Sequence, residues 1–311
     1  MLVTRTAQSP EPKMADKLVR GIVRLGIGGL LVIKASGELF PHQACKQVNG
    51  LKDNKGVFVE VPERCRKQFS EVALKFGLKK TEKVALFVNE GFYAVSAGST
   101  WLPGGAVVGL PRWYLYQTKE DVKNSGLKFN GRDISWDSEI GMTTTESYLP
   151  SDNMIAFTIG HEISHIQRLD YKLFDTCASP LWLYLTYRFA ISVPGILKLR
   201  ATLDILFKIG ICGINYYAYK FVQQKVQHLS EFTADEMSAT CDPQMAEGGV
   251  EFLTRRLNLN LVQRRLLGEE GRKFYTETGD ELQSYTHPQL TKRLEKVEAI
   301  LRSTDYIKHS S

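Results

Sequence analysis

The chain has 311 residues, 43% of them hydrophobic, which is enough to bury a sizeable core and excludes a disordered tail. Its 40 basic and 34 acidic residues leave a formal charge of +6, but the two signs are interspersed, so there is no basic stripe for nucleic acid. Five cysteines (Cys45, Cys65, Cys177, Cys212 and Cys241) are far apart and form no CxxC pair, which excludes a zinc knuckle or dithiol redox motif and fits a reducing compartment.

In chain order, residues 1 to about 20 are polar, carry Pro10 and Pro12, and read as loosely ordered. The stretch RGIVRLGIGGLLVIKA, Arg20 to Ala35, has basic residues before a short apolar run, in the manner of a signal peptide, but Lys34 follows the run directly and Glu11 and Asp16 precede it. A signal, an anchor and a packed helix are all compatible with that pattern. Residues 1–56 are therefore set apart from a main domain at 57–305 and a tail at 306–311. PERCRKQFSEVALKF, from Pro62, has proline at a first-turn position and apolar residues at helical spacing, and predicts a helix that stops at Gly77. VALFV (Val84 to Val88), FYAVSA (Phe92 to Ala97) and AVVGL (Ala106 to Leu110) are short β-rich runs between Gly, Asn and Pro, and predict a small antiparallel sheet. Pro111 to Pro150 reads as a long connection holding one or two strands.

Ser151 or Asp152 then caps a strongly apolar helix, NMIAFTIGHEISHIQRL. Two apolar runs follow, Leu181 to Leu197 and Leu203 to Tyr219, each at the lower length limit for crossing a bilayer. The first holds Arg188 and Pro194 and the second Asp204 and Lys208, and a mid-membrane charge costs about 2.5–3.5 kcal/mol. Membrane helices and ordinary core helices both fit. Helices are also predicted over Gln244 to Leu267 and over Pro288 to Arg302, where Leu290, Leu294, Val297 and Leu301 share a face. The sum is a mostly helical α+β protein.

Within TIGHEISHIQ, positions i and i+4 of a helix share a face, so His161 and His165 can direct ring nitrogens at one cation about 2.0–2.1 Å from each. Glu162 is displaced from that face but near enough to reach a water at the metal. Two neutral imidazoles that hold zinc, a water made acidic by it and a carboxylate that takes the proton are the parts of a hydrolase. The bland alternative is a buried helix whose histidines bond to backbone or carboxylate groups. A metzincin would need glycine at 168 and histidine at 171, where the chain has Arg168 and Tyr171. Downstream, LSEFTADEMSA puts Glu231 and Asp235 on one face of a second helix. The first can complete a His2Glu site and the second can hold a histidine ligand through its free ring N–H. Glu236 falls on a different face.

These residues resemble the gluzincin peptidases that include bacterial HtpX, the CaaX prenyl endopeptidases and the periplasmic protease BepA. HEISH at 161–165, EFTAD at 231–235 and THPQLTKRL at 286–294 stand in the family's order. YAVSAG at 93–98 and VVGL at 107–110 are similar to its substrate-binding edge strand. The resemblance covers roughly residues 60–305 and implies a zincin-like fold with one Zn2+ per chain held by His161, His165 and Glu231. It also implies Glu162 as general base, Asp235 as the carboxylate behind a ligand, and a substrate strand at Val95, Ser96, Ala97 and Gly98. His287 would lie close to the metal, as an oxyanion stabiliser or as a plug of the open position, and it equally fits a residue that starts a helix before Pro288. Arg293 is a weak candidate, equally a salt-bridge partner on that helix. Two features depart from the family pattern: Tyr93 stands where asparagine is usual, and the connection after Leu110 is longer. The resulting expectation is a zinc endopeptidase that acts on membrane-associated or misfolded proteins and takes protein or peptide substrates but no nucleic acid. A catalytically silent scaffold that binds partners through a sheet edge is the rival. A second rival makes 181–219 a hairpin anchor, with the catalytic part facing the cytoplasm.

Overall fold

The computed structural model describes residues 14–310, except 130, 169 and 285. The expected loose order of residues 1 to about 20 lies outside these as far as residue 13, and residues 14–20 are helical instead, because they open a helix continuous with the apolar run after them. The chain divides into two compact units: one of Ser36–Lys172 with Lys220–Ser311, and one of Met1–Ala35, described from Met14, with Leu173–Tyr219.

The larger unit is built around helix α6 (Asp152–Arg168), whose residues are buried almost without interruption from Met154 to Ile166. A helix apolar on all sides must be enclosed, and three neighbours enclose this one. They are α3 (Glu63–Lys75), which follows the single turn α2 (Gln47–Asn49); α9 (Pro243–Leu267); and a small sheet. Ile155, Ile159, Ile163 and Ile166 of α6 pack into one cluster with Val72 of α3 and with Val108, Leu110 and Tyr114. Ser151 supplies the cap by accepting from the Met154 N–H at 3.1 Å. Gly248 is what lets α9 cross so closely, because a side chain there would land on the carbonyl of Asn153. Gly160 plays the same part on α6, where Met245 and Ser238 occupy the space of a Cβ.

The sheet has strands β1 (Val84–Asn89), β2 (Val95–Gly98) and β3 (Ala106–Pro111) in the order β1-β3-β2. It is mixed and not wholly antiparallel as expected: β3 pairs parallel to β1 and antiparallel to β2. The reason is positional. The Asn89 side chain donates to the Tyr93 carbonyl at 2.6 Å and closes a turn, which carries β2 one place beyond its predecessor. The fully buried β3 then fills the gap, and β2 is left at an edge.

The stretch expected to be a long connection is more ordered than its composition suggests. It holds α4 (Lys119–Lys123), the hairpin β4 (Lys128–Phe129) and β5 (Arg132–Asp133), and helix α5 (Glu139–Tyr148). Ser138 caps α5 by accepting from the Gly141 N–H at 3.1 Å. Helices α10 (Glu269–Phe274) and α11 (Leu290–Ser310) follow α9, and α11 lays Leu290 and Val297 against Leu253 and Leu257 of α9.

In the smaller unit, the first part of α1 (Met14–Leu39) accompanies most of α7 (Asp170–Leu197) and the first half of α8 (Ala201–Cys241). Trp182 donates to the Asn215 carbonyl at 3.1 Å, Phe189 meets Phe207 with ring centroids 6.2 Å apart, and Lys34 pairs with Asp175 at 2.5 Å. The second apolar run and the Glu231 segment, read separately in the sequence, are one helix, because KFVQQKVQH between them contains no Gly or Pro to break it. Large apolar side chains on this unit face outward: Leu25 is 78% exposed, Ile196 77% and Tyr217 75%. No described helix is long and apolar enough to cross a membrane.

Candidate metal centre

Helix α6 delivers His161 and His165 to one point, one turn apart, and α8 brings Glu231 against them. The two Nε2 atoms are 3.1 Å apart, Glu231 Oε2 lies 3.6 Å from His161 Nε2, and Oε1 lies 3.3 Å from His165 Nε2. Four ligands set tetrahedrally at zinc–nitrogen and zinc–oxygen bond lengths stand about 3.3–3.5 Å from one another, so the three donors already hold the required spacing. Among the described residues this is the one such convergence of three His, Cys, Asp or Glu groups.

The wiring behind His161 fixes which nitrogen faces the site. Its Nδ1 lies 2.9 Å from Asp235 Oδ1, one turn after Glu231 on α8, and donation there turns Nε2 to the site, where a metal would take the place of its proton. Arg293 of α11 holds that carboxylate with two bonds, Nε to Oδ2 at 2.7 Å and Nη2 to Oδ1 at 2.8 Å. Asp235 and Arg293 are 2% and 5% exposed. Burial alone would raise the Asp235 pKa, but the Arg293 charge and the bond from His161 hold it below the usual carboxylate range. Burial likewise works against Glu231, yet its bonds with His161, His165 and His287 keep it well below that range. For His161, burial is outweighed by Asp235 and Glu231, and the pKa is pushed up to about 10. Two carboxylates and two imidazoles packed together out of water thus attract a positive charge to the point where the lone pairs meet. Such a donor set fits zinc.

Glu162 is buried beside these ligands and lines, with Tyr93, Phe157, Phe252 and His287, a cavity of about 40 Å³ next to the triad. His287 reaches the same place from the segment before α11, its Nδ1 2.9 Å from Glu231 Oε2. Arg293, a weak candidate from sequence, turns out to be in full contact with the site. Val95, Ser96, Ala97 and Gly98 form edge strand β2. It is tied to the end of α6 by Ser99, whose hydroxyl donates to the Ile166 carbonyl at 2.7 Å. Glu236 is exposed and away from the cluster.

Sequence reasoning missed one group. Tyr93 donates from its hydroxyl to Glu281 Oε1 at 2.7 Å and accepts from Arg256 Nη2 at 2.6 Å, and its ring lies 5.2 Å from that of His287. The Arg256 guanidinium stacks 3.9 Å from the Phe92 ring centroid. Burial raises the Tyr93 phenol to about 12, with Arg256 opposing and Glu281 assisting, so it stays a neutral donor. Only the unusual Tyr93 offered a signal. Arg256 sits in LTRRLN, indistinguishable by pattern from any charged helix surface.

The model of peptidase family M48 matches residues 63–301. The chain is 24% identical over 293 residues to transmembrane protein 177 of Danio rerio, covering 91% of this chain and 93% of that protein. It is 27% identical to the Homo sapiens protein of that name (84% of each chain) and 27% identical to the Mus musculus one (76% and 78%). No solved structure matches.

Proposed function

The chain belongs to peptidase family M48, and on that premise we propose that it is a zinc-dependent endopeptidase. The observation that carries the reading is the meeting of three acceptors, His161, His165 and Glu231, at 3.1–3.6 Å, with the buried carboxylate of Glu162 beside them. Bound there, zinc would polarise the scissile carbonyl and lower the pKa of a water. Glu162 takes a proton from the attacking water and passes it to the leaving nitrogen, so that one peptide bond and one water give a carboxylate and an amine. Asp235, clamped by Arg293, keeps His161 in the tautomer that presents Nε2. His287, beside Glu231, is placed to donate to the oxygen that gains charge. Val95 to Gly98 supply backbone groups to an extended substrate.

The test is elemental analysis of purified protein together with peptide cleavage. About one zinc per chain is expected in the wild type and in Glu162→Gln, with cleavage falling about 10²–10⁴-fold in the variant. Wild-type protein that takes up no zinc after reconstitution overturns the reading. A non-catalytic scaffold is the second reading, favoured by the small cavity and by the engagement of Glu231 with His287. Under it, Glu162→Gln leaves every function of the protein unchanged.

The relatives are named transmembrane proteins, and the smaller unit displays Leu25, Ile196 and Tyr217 to its surroundings. That unit is proposed to lie in or against a membrane, and the substrates are proposed to be membrane-associated or misfolded proteins. Retention in the pellet after alkaline carbonate extraction is expected; full release overturns it.

A further inference from the structure

Tyr93 and Ala94 lead into β2 and line the same cavity as His161, Glu162 and Glu231. The opposite end of the strand is closed by two side chains. Gly98 donates its backbone N–H to Glu38 Oε2 at 2.9 Å, and Lys172 Nζ donates to the Ser96 carbonyl at 3.1 Å. The two side chains are themselves 3.6 Å apart. These backbone groups face away from β3, so an added strand would have to offer them one acceptor and one donor. A carboxylate from the end of α1 and an ammonium from the start of α7 already do so.

Charge on an edge strand commonly serves only to prevent aggregation. Here the Lys172 and Glu38 side chains are 14% and 26% exposed and are bonded to the strand's own outer backbone groups, so they occupy the edge as a pairing strand would. They also cover the far end of β2 from the metal centre and leave the Tyr93–Ala94 end to the cavity. A peptide that adds antiparallel to β2, the more stable pairing, has its amino end towards Gly98. From Ala94 to Gly98 is four residues of strand, about 13 Å at ~3.3 Å per residue. A chain that ends there carries an α-ammonium, the same charge and donor type that Glu38 already holds in Lys172.

We propose that the Glu38–Lys172 pair ends the substrate strand and that Glu38 binds the substrate's α-ammonium group, so that cleavage falls about four residues from a free amino terminus. The inference rests on the peptidase reading. Before a peptide arrives Lys172 keeps Glu38 placed and holds the Ser96 carbonyl, a bond that the added strand replaces with its own backbone N–H while its α-ammonium takes the place of Lys172 at Glu38. A peptide that extends further, or whose amine is acetylated, has to displace the pair.

The test uses zinc-loaded protein and one peptide series with two to twelve residues before a fixed cleavage sequence, each with a free or acetylated terminus. Cleavage by the wild type is followed by mass spectrometry, and binding to Glu162→Gln by fluorescence anisotropy. Free amines with about four leading residues are expected to be cut and bound about tenfold better than their acetylated forms, the scale of one charged hydrogen bond. Glu38→Gln should erase that preference, Glu38→Asp should restore part of it, and Lys172→Met should admit longer peptides. An unchanged melting temperature in these variants separates recognition from folding. Equal use of free and acetylated peptides, or a preference untouched in Glu38→Gln, overturns the proposal. Amine-dependent binding without any cleavage by the wild type removes the peptidase reading and keeps the recognition site; absence of binding and cleavage alike removes both.

Discussion

Replacing Arg293 by methionine tests whether the metal site is built from behind, through a residue that grips Asp235 and also lies 3.5 Å from Glu231 Oε2. The side chain is buried, and its fork holds both oxygens of Asp235, which is buried as well. Methionine fills similar volume but leaves a buried carboxylate whose remaining side-chain partner is His161. Removing one member of a buried pair costs about 3–5 kcal/mol, most of it from the charge left behind. At roughly 2–4 °C per kcal/mol for a domain of this size, the metal-free variant should melt about 6–20 °C lower. His161 also loses its fixed tautomer, and loss of such an outer partner weakens metal binding about 10–100-fold. Scanning calorimetry of metal-free protein gives the first quantity, and zinc competition against a chromogenic chelator gives the second. Asp235→Asn combined with Arg293→Met should cost less than the sum of the two single changes, because the double variant removes both members of the pair and leaves neither charge behind. A variant that melts within about 2 °C of wild type and binds zinc equally well would refute the reasoning.

Glu231→Ala should abolish zinc uptake while the helix around it stays formed, checked by metal content and circular dichroism; full retention of zinc would place the third ligand elsewhere. Gly248→Val should drive α9 off the Asn153 carbonyl at a cost of about 3 kcal/mol, read as a fall of about 6–12 °C in melting temperature, and an unchanged melt would show that the crossing can open freely. Cys65 is fully buried and its thiol is pushed up to about 11 by burial, against the opposing Arg64 charge, so its thiolate appears only as the pH nears that value. Iodoacetamide at pH about 8 should therefore reach Cys65 only after unfolding; labelling of Cys65 in native protein to the same extent as in unfolded protein, read by peptide mass spectrometry, would contradict the buried placement.

Much of the centre could be read directly from local spacing. HExxH on an apolar helix and ExxxD on a second one are statements about helical periodicity, and a pattern four residues apart specifies a shared face wherever the helix lies. For the same reason the helices over 63–75, 152–168 and 243–267 were legible from their caps and apolar rhythm. Helix α5 was not: its TTTES run has a weak apolar face, and it is held by the Ser138 cap and by packing against α9.

What the sequence determined alone is the set of chemical groups and their order along each helix. What only the tertiary structure decided is every relation between remote stretches. β3 slips between β1 and β2 and leaves β2 at an edge, Arg293 reaches Asp235 from α11, and Tyr93 finds Arg256 and Glu281. Glu38 and Lys172 meet on the outer groups of β2 in the same way. Periodicity carries no information about such pairs, since each residue on its own helix looks like ordinary surface charge. They are selected by burial, which makes a charge costly unless the fold brings it a partner.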